Sequence, residues 1–487
     1  MLRSTDDSAE EEGDDATDAP AFTPTRPQRG GAMSLELDLV IDAVDDRSSR
    51  SIAGAISRLV TSAQLRPGDR LPTVRELARR LEISPTTVSE AWQVLSQLGV
   101  IESRGRAGSF VLGSPRPLAP RRYRRVTDIP AHLDLDLSTG TPDPGLLPDF
   151  RPLLSKVSRQ DLTHSYLDDP VLPALEDALR QRWPFVPEAI TVVDGAMDAL
   201  DRICTHLVRF GDRVAVENPG FPPLLDLLEQ LGAEVIALDL DRHGVVPASM
   251  QAALHAAPVA VFMQPRAHNP AGVSMNAARA KQLAALIKGR RVIVVEDDHS
   301  GDIASSSLES LGRHIPAQCV LIQSFSKSHG PDLRIAAVGG AEAVVTPLVN
   351  RRTLGPGWTS RVLQSLIARM LDDARVIQTV QTAREVYAER RSLMVDALHA
   401  RGVRTTGTDG INLWIEARDE QAALLTLAAQ GIGAAPGTPF ITNPFASDHL
   451  RVTVGLVRDS HESLGGRLAD AVLGVGRRTT RPRARTS

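Results

Sequence analysis

Lys327 stands in the run Ser324-Phe325-Ser326-Lys327-Ser328-His329-Gly330-Pro331-Asp332-Leu333-Arg334. A primary amine in such a run forms a Schiff base with an aldehyde, and the Ser324 hydroxyl and Arg334 guanidinium are groups suited to a phosphate. Aldehyde and phosphate together are the chemistry of pyridoxal 5'-phosphate. Upstream runs supply what the ring needs. Glu296-Asp297-Asp298-His299 follows the apolar run Val292-Ile293-Val294-Val295. A carboxylate beside a pyridine nitrogen keeps it protonated and makes the ring an electron sink, a role that falls to Asp297. Asn269, in Asn269-Pro270-Ala271-Gly272, can donate to a phenolate oxygen, and Phe221, in Asn218-Pro219-Gly220-Phe221-Pro222, can stack on the ring. Gly195-Ala196-Met197 precedes a helix whose N-terminal N–H groups favour an anion. Taken singly, a lone lysine is usually a surface charge, an acidic pair a solvent or metal feature, and Asn-Pro-x-Gly a plain turn. Their joint occurrence carries the reading.

A different chemistry lies far upstream, in Leu71-Pro72-Thr73-Val74-Arg75-Glu76-Leu77-Ala78. Val74, Leu77, Ala78 and Leu81 share one helical face, Ser84 is an N-cap with Pro85 in the first helical position, and Val88, Ala91, Trp92, Leu95 and Leu98 make the apolar side of a following helix. Thr86, Thr87, Ser89 and Glu90 lie near its start on the outer side. Ile101-Glu102-Ser103-Arg104 and Ser109-Phe110-Val111, joined by Gly105-Arg106-Ala107-Gly108, form a hairpin the size of a wing. In a helix-turn-helix the second helix enters the major groove by its N-terminal residues, which calls for short polar side chains there and cations beside the phosphates.

The elements that position both sets follow from length and pattern. A chain of 487 residues predicts two or three domains. An acidic start, with 42% hydrophobic residues and no apolar stretch long enough to cross a bilayer, predicts a cytoplasmic protein with no membrane partner. Cys204 and Cys319, without CxxC spacing, read as buried thiols, and no metal is implied. The net charge of -4 conceals local sign: an acidic, poorly hydrophobic head over residues 1–36 is expected to be disordered, and a basic disordered tail closes the chain over 476–487. The Pro/Arg-rich stretch 113–132 reads as a solvated linker between a head over 37–112 and a larger domain over 133–475.

In that larger domain the pattern alternates: helix 195–208, strand 213–217, helix 222–231, and strands 234–238, 259–263, 291–296 and 319–323. This predicts a mostly parallel sheet with its ligands at the carboxyl ends of the strands, where the residues named above fall.

From Leu71 to Val111 the chain resembles the GntR-family winged helix, an α+β fold. The runs around Gly195, Phe221, Asn269, Asp297 and Lys327, in that order, resemble α/β fold-type I aminotransferases over 133–475, with a small C-terminal α+β subdomain. The combination resembles MocR/GabR-type regulators. The resemblance implies that Lys327 holds the cofactor as an internal aldimine, that Asp297, His299, Asn269 and Phe221 address its ring, and that Gly195, Ala196, Met197, Ser324 and Arg334 hold its phosphate. It further implies that Arg451, in Leu450-Arg451-Val452, clamps an effector carboxylate, and that Tyr166 reaches a phosphate across a homodimer. Double-stranded operator DNA would face Arg75, Thr73, Ser84, Thr86, Thr87, Arg104, Gly105 and Arg106.

The implied function is transcription regulation gated by an amino acid, an amine or pyridoxal phosphate itself. A working aminotransferase with an accessory DNA-binding domain is the alternative, and residual transaminase activity is compatible with Lys327 as a proton carrier. Three residues depart from the family pattern. Pro85 replaces a common arginine, Ala271 a common threonine, and His299 a common tyrosine, whose imidazole is expected to change charge near neutral pH.

Overall fold

The computed structural model describes residues 32–44, 47–62, 64–97, 99–112, 120–127, 133–158, 162 and 165–474. The chain divides into two compact units, residues 1–116 and 117–487.

In the first unit the helices Ala32–Asp42, Ser49–Thr61, Val74–Leu81 and Pro85–Gln97 precede the antiparallel strands Ile101–Ser103 and Ser109–Val111. The expected periodicity sets the packing: Ile52, Ile56, Leu77, Val88, Trp92 and Leu95 are buried in one cluster. Capping sharpens the helix-turn-helix. The Thr73 hydroxyl accepts from Glu76 N, and Glu82, at φ 54°, ends that helix in the left-handed region with its N–H directed back to Ala78 and Arg79 carbonyls. Ser84 Oγ then accepts from Thr86 N at 3.1 Å. The expected boundary at 37 is moved: a helix already begins at Ala32. Residues 1–31 of the acidic head and the whole basic tail lie outside the described residues, as does Leu98.

The second unit is built on an eight-stranded sheet in the order Ala189–Val193, Ala336–Gly340, Cys319–Ser324, Ile293–Asp298, Ala260–Met263, Arg213–Asn218, Glu234–Asp241, Gly244–Val245. Ala336–Gly340 runs antiparallel to both its neighbours and the short edge strand Gly244–Val245 antiparallel to its one; the other pairs are parallel. Alternation buries both faces: Val214 and Val216 enter one core cluster with Phe262 and Leu200, while Ala215 enters another with Val261 and Leu283. A smaller antiparallel sheet, Thr405–Thr406, Asn412–Ala417, Asp448–Thr453, Ala435–Pro436, forms the C-terminal α+β part. The long helix Ala374–His399 and the final helix His461–Leu473 pack on it. Cys204 and Cys319 are buried free thiols. Among the described residues there is no helix long and apolar enough to cross a membrane and no candidate metal cluster.

The linker expectation needs correction. Residues 113–119 and 128–132 lie outside the described residues, but Arg121–Thr127 is a helix docked on the second unit. Arginine density suggested solvent, yet the Asp226 carboxylate accepts from Arg122 N at 3.1 Å and Tyr123 N at 2.9 Å. Val126 is buried with Trp414, Ala435 and Phe440. These partners lie about a hundred to three hundred residues away, where a local reading does not reach.

Candidate functional site

Strand geometry separates the three carboxylates of Ile293–Asp298, which occupy the last strand positions instead of following the strand. Side chains alternate, so Glu296 and Asp298 face away from Asp297. Glu296 accepts from Ser310 Oγ and from Leu311 N at 2.8 Å, and burial pushes its carboxyl up to about 7. Asp298 receives a two-pronged pair from Arg266 at 2.9 and 2.8 Å. Asp297 alone is left with an open valence: Oδ2 accepts from Gln264 Nε2 at 3.1 Å, while the buried Oδ1 has no partner among the described residues. Burial raises Asp297 to about 6 against the opposing pull of Lys327.

The ladder fixes Lys327 relative to that acid. Ile322 is in parallel register with Asp297, and Lys327 follows three residues after the strand Cys319–Ser324 ends. Burial lowers the lysine's pKa, Asp297 opposes the shift, and Arg451 adds to it. A depressed pKa leaves more of the amine neutral and nucleophilic at a given pH. Lys327, Asn269, Phe221 and Arg451 all line one cavity of about 630 Å³. Asn269 Oδ1 is occupied by Asn412 Nδ2 at 3.3 Å, which leaves its own NH2 to donate.

The phosphate candidates converge for a topological reason. Ala336 pairs with Ser324 on one side and with Val193 on the other. Arg334, two residues before Ala336, and Gly195, two after Val193, therefore meet at one end of the sheet. A Cβ on Gly195, whose φ is +96°, would lie 3.1 Å from the Arg334 guanidinium, so glycine permits the approach. Gly195 caps the helix Ala196–Leu207, whose first amides belong to Ala196 and Met197. An exposed guanidinium, a buried serine and helix N-terminal amides form an anion cradle. The orphaned Asp297 Oδ1 as an acceptor, and the Asn269 amide, the Lys327 amine and this cradle, are the groups that pyridoxal phosphate needs, and the group fits.

Arg451 is 4% exposed and lies on Asp448–Thr453, between Asn412–Ala417 and Ala435–Pro436, not on an edge. One Nη donates to the Ser138 carbonyl, the guanidinium lies 5.3 Å from the Phe440 ring centre, and the buried Nε has no partner among the described residues. Burial lowers it to about 10.

One expectation changes, that for His299, while Tyr166 is placed at the surface of the single chain. His299 is buried with Nε2 2.9 Å from the Ala267 carbonyl, and burial drives its pKa well below the ordinary value, so its charge does not vary near neutral pH. Its ring is engaged by the protein backbone. Tyr166 is 91% exposed, its ring 5.9 Å from that of Trp358, and it does not line the cavity.

In the head, Arg75, Thr86 and Gly105 are exposed and Thr87 half-buried. The Thr73 and Ser84 hydroxyls serve as helix caps. Arg104 pairs with Glu102 and lies 4.8 Å from the Phe110 ring centre, so it is held against the wing. The Arg106 side chain lies outside the described residues. Sequence reading missed Gln264, Asn412, Asp226, Tyr123 and Arg122. Of these Asp226 carried a signal: a lone acid inside the apolar run Pro222-Pro223-Leu224-Leu225-Asp226-Leu227-Leu228.

Comparison with known proteins bears on both units. Residues 134–464 match the family "Aminotransferase class I and II", and residues 48–111 match "Bacterial regulatory proteins, gntR family". The chain is 35% identical over 426 residues to the vitamin B6 salvage pathway transcriptional repressor PtsJ of Salmonella typhimurium, covering 86% of this chain and 96% of that one. It is 28% identical over 357 residues to the HTH-type pyridoxine biosynthesis transcriptional regulator PdxR of Corynebacterium glutamicum, covering 70% and 77%. The crystal structure of Pyrococcus horikoshii kynurenine aminotransferase shares the fold of the second unit, with TM-score 0.65 and 23% identity over 72% of this chain and 93% of that chain.

Proposed function

Since this chain belongs to the GntR-type transcriptional regulators that carry an aminotransferase class I and II domain, we propose that it senses pyridoxal phosphate by capture at Lys327 and alters operator binding in response. The observation that carries this reading is the open valence on the buried Asp297 Oδ1, in a small pocket that shares Phe221 with the cavity lined by Lys327. A buried carboxylate oxygen without a donor is costly, and a protonated ring nitrogen would satisfy it.

When bound, the cofactor supplies an aldehyde for amines. The chain's own groups then divide the work. Asp297 holds a proton at the ring nitrogen, Asn269 donates to the phenolate oxygen, Phe221 covers a ring face, and Gly195, Ala196, Met197, Ser324 and Arg334 anchor the phosphate. Arg451 would take the carboxylate of an amino acid, a second ligand class for the same cavity. The names of PtsJ and PdxR, which tie those proteins to vitamin B6, favour the B6 vitamer over the amino acid as the signal.

On the DNA side Arg75, Thr86, Thr87, Arg104, Gly105 and Arg106 approach the duplex, with Thr73 and Ser84 fixing the helices that present them. A homodimer would pair two winged helices on two half-sites and give the exposed Tyr166 a partner subunit to reach. The test is operator binding by apo and pyridoxal phosphate-loaded protein at fixed salt. A change of at least fivefold is expected. Equal affinities, with keto acid released steadily from added amino acids, would replace this reading by the aminotransferase.

A further inference from the structure

The helix Arg121–Thr127 does more than connect. Tyr123, Val126 and Thr127 line the same cavity as Lys327 and Arg451. Tyr123 keeps 47% of its surface exposed there, and its phenol acts electrostatically on Arg451. Seven residues make too short a helix to persist on its own in water, so its helicity depends on its docking contacts.

Those contacts lead to two cavity residues. The Asp226 carboxylate holds the N-terminal amides of Arg122 and Tyr123, and Asp226 lies on the helix Pro222–Gln230 that Phe221 caps. The Arg122 guanidinium donates to the carbonyls of Pro439 at 3.1 Å and Ile441 at 2.9 Å, on either side of Phe440. Phe440 covers Arg451, and its own carbonyl accepts from Gly220 N at 2.7 Å. Asn218 closes the ring of contacts: its Oδ1 accepts from Thr442 N at 3.0 Å and its Nδ2 donates to the Asn443 carbonyl at 2.9 Å. The Arg122 anchors thus flank Phe440 by one residue on each side, and Asp226 shares its helix with the cavity-lining Pro222 and Pro223.

We propose that Arg121–Thr127 is the wall of the cofactor cavity that reads its occupancy, with Tyr123 meeting the bound molecule and Arg122 as the positioning residue that latches the helix to the Pro439 and Ile441 carbonyls. The two states are helix docked and helix released. A ligand that contacts Tyr123 and stiffens Phe221 and Phe440 favours the docked state only, which is the differential affinity that any ligand-driven switch requires. The helix follows the DNA-binding head in sequence, so its docking state is placed to bear on operator binding. This inference rests on the capture of pyridoxal phosphate proposed above.

Hydrogen exchange of the amides in 121–127 tests it in the full-length protein, with pyridoxal phosphate as probe and imine absorbance as the independent measure of capture. In the wild type, capture should slow exchange of these amides at least tenfold. At cofactor concentrations that saturate imine absorbance, Arg122→Ala should still capture the cofactor, with an affinity lowered in step with the weaker docking, yet show less than a twofold slowing, and Arg122→Lys, which keeps a donor, should fall between. Undiminished slowing in Arg122→Ala, or none in loaded wild type, overturns the assignment. Slowing without any change in operator affinity would sink the sensing function and leave the helix assignment standing, whereas absence of imine absorbance in the wild type would overturn both.

Discussion

Arg75 stands exposed on the short helix Val74–Leu81 of the head, whereas Arg451 is 4% exposed between a carbonyl and an aromatic ring in the second unit. In the roles proposed for them, the two arginines would meet anions under opposite conditions. Arg75 keeps its water, so the phosphate contact proposed for it would draw on counterion release, be salt-dependent and carry no orientation of its own. Arg451 has already lost its water, at a cost visible in its lowered pKa of about 10. Its buried Nε has no partner among the described residues, an unmet donor that the proposed carboxylate ligand would satisfy. On the proposed roles, the exposed arginine suits a repetitive charged surface approached from solvent, the buried one a small molecule held in one orientation. The same division separates Lys327, whose amine is made reactive by burial, from the exposed arginines of the head.

The sharpest way to break the comparison is Lys327→Ala. Covalent capture of pyridoxal phosphate, read by absorbance and by borohydride trapping, should disappear altogether while operator binding by the apo protein persists. Trapping at another lysine would remove Lys327 from its role. In the wild type the capture rate should climb with pH through a midpoint below that of an ordinary lysine, because burial depresses this amine.

Next in size is the head's own stability. Leu77 is completely buried, and Leu77→Ala should cost about 2–5 kcal/mol of that unit's stability. Calorimetry should show one transition lowered and that of the cofactor domain unmoved; a common shift would mean the units unfold together. Arg451→Ala should weaken binding of amino acids to the loaded protein by about 2 kcal/mol or more, roughly thirtyfold or greater, with cofactor capture retained. An unchanged affinity would mean that ligand carboxylates bind elsewhere. Smallest is Arg75→Ala, expected to weaken operator binding severalfold and to reduce the slope of log affinity against log salt by about 1. If affinity falls while the slope stays, Arg75 is not a phosphate contact.

Much of this was legible in the sequence because it is local. Val74, Leu77 and Leu81 announce their helix by spacing, and strand-then-acid or strand-then-Asn-Pro runs place Asp297 and Asn269 at sheet ends. What sequence left open depends on distant partners. Nothing near Asp298 reveals that Arg266 will neutralise it and leave Asp297 as the free acid. His299 was expected to titrate near neutral pH, since its burial comes from the fold around it. The arginines at 121–125 advertise solvent, and only Asp226, Pro439 and Ile441 convert that stretch into a docked helix. Tyr166 was legible as a family feature, but one chain leaves it facing outward.

The register Ile322 with Asp297 has a further consequence. It makes the sheet a ruler: the offset between the acid and the strand that leads to Lys327 is counted out in backbone hydrogen bonds, and only the three-residue step from Ser324 to Lys327 is left to the turn. Insertions in the segments between these strands can accumulate without disturbing the chemistry. Deleting one residue within Ile293–Asp298 would instead turn a carboxylate already bonded to its own neighbours toward the ring and hide the one that was free. Diversification of such regulators toward new signals therefore has its room in the cavity rim and the docked helix, while the spacing at the sheet's end must be inherited whole.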